Sequence, residues 1–152
     1  MSKIAVFPGS FSPFTLGHQY IVERALPLFD KIIISIGVNA DKNDYFSINE
    51  REQWIEAVYK NNPKVEVKRY EELTVDFCDK IGAKYILRGL RNSHDFNYEK
   101  NIAQTNKDLN NDIETIFIIG PAKLSHISST IIRDIIKNGG NVSQFLPKEI
   151  DL

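Results

Sequence analysis

The residues best equipped for chemistry fall into three clusters. The first is GSFSPFTLGH, Gly9 to His18. Gly9 and Gly17 carry no Cβ, so the backbone there can come close to a ligand. Ser10, Ser12 and Thr15 offer hydroxyls beside a helix start, where free N–H groups and the helix dipole favour an anion. His18 follows Thr15 by three residues, which places both on one side of a first helical turn. A neutral imidazole donates one hydrogen bond and a protonated one donates two. An ordinary loop with a capping threonine and a surface histidine would show the same pattern.

The second cluster is RGLRNSHDFNYE, Arg88 to Glu99. Arg88 and Arg91, separated by Gly89 and Leu90, could each grip a phosphate through a bidentate fork. Asp95 and Glu99 are spaced to orient those arginines, although a salt-bridged surface helix would carry the same charges. The third is LSHISSTIIR, Leu124 to Arg133. One hydroxyl is enough to cap a helix. Ser128, Ser129 and Thr130 together suggest a phosphate cradle, with redundant capping as the plainer alternative. His126 receives no role from its spacing. Lys42, in NADKNDYF, is a single cation in a loop, and Thr74 reads as a simple N-cap.

Such clusters need a frame, and the apolar pattern supplies one. Five runs read as strands, at 4–7, 31–39, 65–70, 84–89 and 114–119. Several are nearly continuous Ile, Val and Phe, as expected of a parallel sheet covered on both faces. Helical patterns lie between them: from Gly17 toward Phe29 with Pro27 in the last turn, from Ser47, from Thr74 to Gly82, over about 93–108, and from Ser129 to Gly139. Ser47 and Glu50 form a capping-box pair, followed by the apolar face of Trp54, Ile55 and Val58. Ile131, Ile132, Ile135 and Ile136 read as one apolar stripe. Alternating strands and helices imply βαβ units, here one α/β domain over residues 1–152. In such a sheet the ligand sits beyond the carboxyl ends of the strands, where the strand order reverses. All three clusters follow strands.

Composition narrows the function further. The chain has 152 residues, enough to fold around one core without disulfides. Nineteen basic residues against twenty acidic ones argue against a general nucleic-acid binder, which should carry a basic excess or a concentrated basic patch. The one cysteine, Cys78, lies among apolar residues at helical spacing and reads as a packing residue. No CxxC or HExxH pattern suggests zinc. No apolar run is long enough for a membrane span and no secretory signal is evident, so the expected compartment is the cytoplasm. No GxGxxG follows the first strand, which argues against a nicotinamide-dependent oxidoreductase.

Together, GSFSPFTLGH, RGLRNSHDFNYE and ISSTIIR resemble the pantetheine-phosphate adenylyltransferases of bacterial coenzyme A synthesis, along nearly the whole chain. The first and last motifs mark the wider nucleotidyltransferase superfamily, and RGLRN with DFNYE narrows the resemblance. It implies a Rossmann-like dinucleotide-binding fold with a five-stranded parallel sheet, Mg²⁺ as cofactor, and a homohexamer. It implies transfer of AMP from ATP to 4'-phosphopantetheine, giving dephospho-coenzyme A and pyrophosphate. By the same resemblance His18 stabilises the transition state. Ser10, Phe11, His18, Gly89, Leu90, Arg91, Glu99, Leu124, Ser125, His126, Ile127, Ser128, Ser129 and Thr130 contact ATP. Ser10, Lys42, Thr74 and Arg88 bind the acceptor. Ser10 stands where the family commonly has threonine, and Ser12 where aspartate is common. The alternatives are a sister transferase acting on nicotinamide mononucleotide or a phosphorylated alcohol, and a nucleotide-sensing module without turnover.

Overall fold

The computed structural model describes residues 2–39 and 44–152. Five strands form one parallel sheet: β1 (Ile4–Gly9), β2 (Lys31–Gly37), β3 (Val65–Tyr70), β4 (Tyr85–Leu90) and β5 (Glu114–Ile119). Their order is β3-β2-β1-β4-β5, so the chain winds outward from β1 through β2 to β3 and then crosses back to β4. The switch point lies between β1 and β4, which is where a ligand crevice is expected.

The strand sequences explain both the sheet and its gap. Alternate side chains point to opposite faces. Ala5 and Phe7 of β1 and Leu87 of β4 enter a core with Ile21 and Val22 of α1 (Leu16–Ala25), Ile55 of α2 (Ile48–Tyr59) and Ile132 of α5 (Ser129–Lys137). Val6 and Ile86 enter a second core with Val75, Phe77 and Cys78 of α3 (Thr74–Ile81). Helices therefore cover both faces, as the unbroken apolar runs predict. The β1–β2 register runs for six residues from Ile4 to Gly9, and β4–β5 for six from Tyr85 to Leu90. Between β1 and β4 only Ala5 with Tyr85 and Val6 with Ile86 are paired.

Pro8 accounts for that early separation. Its carbonyl accepts from Arg88 of β4. The N and C=O of one strand residue face the same neighbour, so the N–H that proline lacks is missing on the β4 side. The ladder stops there, and the carboxyl ends of β1 and β4 diverge.

The helices follow their caps, with three corrections to the sequence reading. The first helix was expected to run to Phe29. It ends at Ala25 and continues as a 3-10 turn at Leu26–Leu28, because Pro27 cannot supply an α-helical N–H. Thr74 is not an N-cap. Leu73 holds that position without a side-chain bond, and the Thr74 hydroxyl meets the Tyr70 hydroxyl at 3.0 Å. Ile131 leaves the apolar stripe of α5: Ile132 is buried there, and Ile131 is exposed. The Ser47–Glu50 capping box is present in both halves. α4 (Ser93–Leu109) is polar apart from scattered positions and buries only Glu99. Among the described residues no helix is long and apolar enough to cross a membrane.

Candidate active site

The diverging ends of β1 and β4 open into a cavity of about 320 Å³. Its walls are the β1–α1 loop with Ser10 and Phe11, the first turn of α1 with His18, the end of β4 from Arg88 to Arg91, Asp95 and Glu99 of α4, and the segment around the start of α5. A second cavity of about 160 Å³ adjoins it, lined by Tyr70, Thr74, Ile102 and Asn106 among others. Pro8, Gly9, Arg88 and Glu99 border both. Close packing at two glycines shapes this wall. A Cβ on Gly89 would lie 2.8 Å from Ile21 Cγ1, and one on Gly9 would lie 2.9 Å from the Phe11 ring.

His18 is fixed by the local sequence. Thr15 is the N-cap of α1, and its Oγ1 accepts from the Gly17 and His18 N–H groups. In return the Thr15 N–H donates to His18 Nδ1 at 3.0 Å. This is a capping box with histidine in the place usually held by Glu or Gln. Because Nδ1 accepts, the neutral ring carries its proton on Nε2, at the far end from Thr15. The ring stacks on Phe14 and meets Phe7 and Phe11 edge-on. That desolvation, with the Arg88 and Arg91 cations nearby, pushes the His18 pKa from 6.5 down to about 3. The residue is thus a neutral N–H donor held in one orientation. The capping threonine spends its oxygen lone pairs on its own helix, which leaves only its O–H to donate.

The arginines behave differently from the expectation that each fork awaits a phosphate. Arg88 Nε and Nη2 donate to the two oxygens of Glu99 at 2.7 and 2.8 Å, and Nη1 donates to the Pro8 carbonyl at 2.7 Å. Glu99 is 7% exposed, and a carboxylate so buried needs a paired cation. Arg91 Nε and Nη2 donate to Asp95 at 3.1 and 3.4 Å, and Nη1 reaches the Ile127 carbonyl at 3.2 Å. The acidic residues do orient the arginines, and in doing so they take the bidentate faces. The remaining N–H bonds are what an anion would meet.

At the third cluster only Ser128 acts as a cap, accepting from the Ile131 N–H. Ser129 Oγ donates to the Pro13 carbonyl at 2.8 Å and so ties α5 to the β1–α1 loop. The N–H groups of Ser129 and Thr130 belong to a first turn, which has no partners inside the helix.

Most of the residues singled out in the sequence meet at the larger cavity: Ser10, Phe11, His18, Gly89, Leu90, Arg91, Glu99, Leu124, Ser125, Ile127, Ser128, Ser129 and Thr130 line it. Thr74 lines the smaller one, and Arg88 lines both. His126 does not line the larger cavity. It is exposed and turns its ring edge to Phe145. Lys42 lies outside the described residues. Among the described residues no group of three His, Cys, Asp or Glu side chains could hold a metal ion. The carboxylates of Asp95 and Glu99 are both engaged by arginines, so this wall offers no ligand set of its own.

The sequence matches the cytidylyltransferase-like family over residues 6–135. The chain is 54% identical over 150 residues to the phosphopantetheine adenylyltransferase of Cytophaga hutchinsonii, covering 99% of this chain and all of that one. It is 53% identical over 146 residues to the protein of the same name from Flavobacterium psychrophilum, covering 96% of each. The chain belongs to the phosphopantetheine adenylyltransferase family.

Among solved structures, it superposes with a TM-score of 0.72 on a bifunctional NMN adenylyltransferase/ADP ribose pyrophosphatase from Francisella tularensis, complexed with AMP and a manganese ion. The match has 21% identity and covers 96% of this chain and 44% of that one, so what is shared is the fold. Sequence reasoning missed Tyr70, Ile102 and Asn106 of the smaller cavity and the buried Arg51 of α2, all outside the three motifs.

Proposed function

We propose that the protein transfers the adenylyl group of ATP to 4'-phosphopantetheine, giving dephospho-coenzyme A and pyrophosphate in one displacement. The observation that carries this reading is the pair of cavities with a common wall at Arg88 and Glu99. The larger takes ATP and the smaller takes the pantetheine arm. The acceptor phosphate then comes to rest beside Arg88, between them.

The chemistry asks for little beyond positioning and electrostatics. A phosphate monoester has its second pKa near about 6, so its oxygen is ionised at neutral pH and needs no strong base. That oxygen attacks the α-phosphorus, the bond to the bridging oxygen breaks, and pyrophosphate leaves with the electron pair. The His18 Nε2–H, the N–H groups opening α5 and the free N–H bonds of Arg91 offset the charge that develops. Holding two substrates in line removes up to about 7–11 kcal/mol of barrier. Ser10 contacts both substrates, and Thr74 and Lys42 hold the acceptor. Mg²⁺ carried by ATP would offset the charge on its phosphates, and Asp95 and Glu99, the carboxylates of this wall, would keep to holding Arg91 and Arg88.

A homohexamer belongs to the same proposal. Tyr98 and Leu109 of α4 and Ile119 of the edge strand β5 are exposed apolar side chains that further copies would cover. Free, buried Cys78 suits a cytoplasmic setting.

The test is pyrophosphate release from ATP and Mg²⁺ with and without 4'-phosphopantetheine, with nicotinamide mononucleotide as a rival acceptor. Release that needs 4'-phosphopantetheine and yields equal dephospho-coenzyme A is expected. Release with nicotinamide mononucleotide alone would overturn the acceptor assignment, and ATP binding without release to either would make the protein a sensor.

A further inference from the structure

The β1–α1 loop holds a backbone that its own sequence does not favour. Phe11 lies at φ 49°, a left-handed conformation that non-glycine residues rarely adopt. Side chains from elsewhere hold it. Arg88 Nη1 donates to the Pro8 carbonyl at 2.7 Å, Arg51 Nη1 to the Ser10 carbonyl at 2.7 Å, and Arg133 Nη1 to the Ser12 carbonyl at 2.6 Å. Three guanidinium groups, from β4, α2 and α5, thus take alternate carbonyls of one short segment.

Arg51 is the one whose burial most needs a reason. Its side chain is 2% exposed, and it does not line the larger cavity. Nε donates to the Phe46 and Ser47 carbonyls at 3.2 and 3.3 Å, and Nη2 to Asp44 at 3.1 Å. An apolar side chain of similar volume often serves stability as well as a buried ion pair does. The geometry at Ser10 offers another purpose. The Ser10–Phe11 peptide is trans, so the Ser10 C=O and the Phe11 N–H point in opposite directions. Arg51 takes the carbonyl on the side of α2, so the Phe11 N–H points away from Arg51, and both Ser10 and Phe11 line the cavity whereas Arg51 does not.

We propose that Arg51 is a positioning residue for adenylyl transfer: it holds the Ser10 carbonyl outside the cavity and so aims the Phe11 N–H at the nucleotide's phosphates. The proposal rests on the adenylyl-transfer reading above. Loss of one aimed donor, or a shift of about 1 Å in the reacting groups, is worth about 10²-fold in rate.

Arg51→Met removes the donors and keeps most of the volume. Arg51→Lys keeps one charged donor, which can serve Ser10 or the start of α2 but not both. The readouts are kcat and KM for both substrates, taken below each variant's Tm, and the ¹⁵N amide signal of Phe11 on adding ATP. Arg51→Met is expected to lower kcat about 10–100-fold, with each KM within about threefold, and to lose the wild-type amide response. Arg51→Lys is expected to fall about 3–10-fold in kcat. A folded Arg51→Met protein with wild-type kcat and amide response, or with a lowered Tm alone, overturns the proposal. If that variant does not fold, wild-type behaviour of Arg51→Lys in both readouts overturns it. If the wild type transfers to no acceptor, the functional reading fails, and the Phe11 amide still decides the part of Arg51.

Discussion

The protonation state of His18 gives the sharpest test of the active-site chemistry. Its pKa in the free protein is about 3, held there first by burial among aromatic rings and then by Arg88 and Arg91. At pH 7 that lies about 4 units below the solution pH, so roughly one ring in 10⁴ is charged, and protonating it costs about 5 kcal/mol. One aimed donor is worth about 2.7–4 kcal/mol in a transition state. The neutral Nε2–H is therefore the form that the free enzyme presents to ATP at pH 7. Two results follow. His18→Ala should lower kcat about 10²–10³-fold with a smaller change in ATP binding. The profile of kcat/KM for ATP, measured from pH 5 to 8 at saturating acceptor, should contain no limb that belongs to His18. Any acid limb then comes from the acceptor phosphate, and His18→Gln should retain it at the same pH with a lower plateau. The assay is initial-rate pyrophosphate release across that range. An acid or alkaline limb present in the wild type and absent in His18→Gln would refute the reasoning, because a group titrating in that range would then be His18 itself.

Two further outcomes rest on the same wall. Glu99→Gln leaves Arg88 with half of its fork, and because Arg88 is 29% exposed the loss is moderated by water to about 1–2 kcal/mol, a Tm lower by about 2–8 °C in thermal unfolding. The loosened guanidinium should also raise the KM for the acceptor about tenfold, read in the same rate assay. His18 should shape acid stability as well. A pKa lowered on folding leaves stability complete above about pH 6.5 and drains it as pH falls toward 3, since the unfolded chain takes up the proton first. Chemical denaturation from pH 8 to 4 should therefore show a shallower acid decline for His18→Gln than for the wild type, and parallel declines would contradict a neutral, desolvated ring.

What could be read from the sequence was what depends on near neighbours. Several of the five strands are nearly continuous apolar runs, and the parallel pairing follows from the helices between the strands. Thr15 and His18 are three residues apart, so their place on one side of the first turn was legible in TLGH, while the bond from the Thr15 N–H to the imidazole was not read there. The function of the two arginines was only half legible. Their charge and place beyond a strand are local facts, but Glu99 reaches Arg88 only after α4 has folded back across the sheet. The sequence offers Glu99 as a residue that orients an arginine, and the fold shows that it takes the whole Nε–Nη2 face of Arg88, 11 residues back. Thr74 was misread for a related reason. A cap is decided by backbone dihedrals, and those put Leu73 at the helix boundary.

Arg51 shows where such reading stops and why. In INEREQWIEAVY it stands three, four and seven residues before Trp54, Ile55 and Val58, on the apolar stripe rather than the wet face of α2. That position was itself a signal. A guanidinium on a buried stripe is tolerable only if several acceptors converge on it. The sequence thus states the demand, yet one answering acceptor is the Ser10 carbonyl, 41 residues away on a loop that any residue types could have formed. Backbone carbonyls carry no sequence signature. The same holds for Arg133 and the Ser12 carbonyl, 121 residues apart. Motifs record the side chains that meet a ligand. The contacts that aim the backbone beside them end on atoms every residue has, and they become visible only once the fold has brought α2 and α5 against the end of β1.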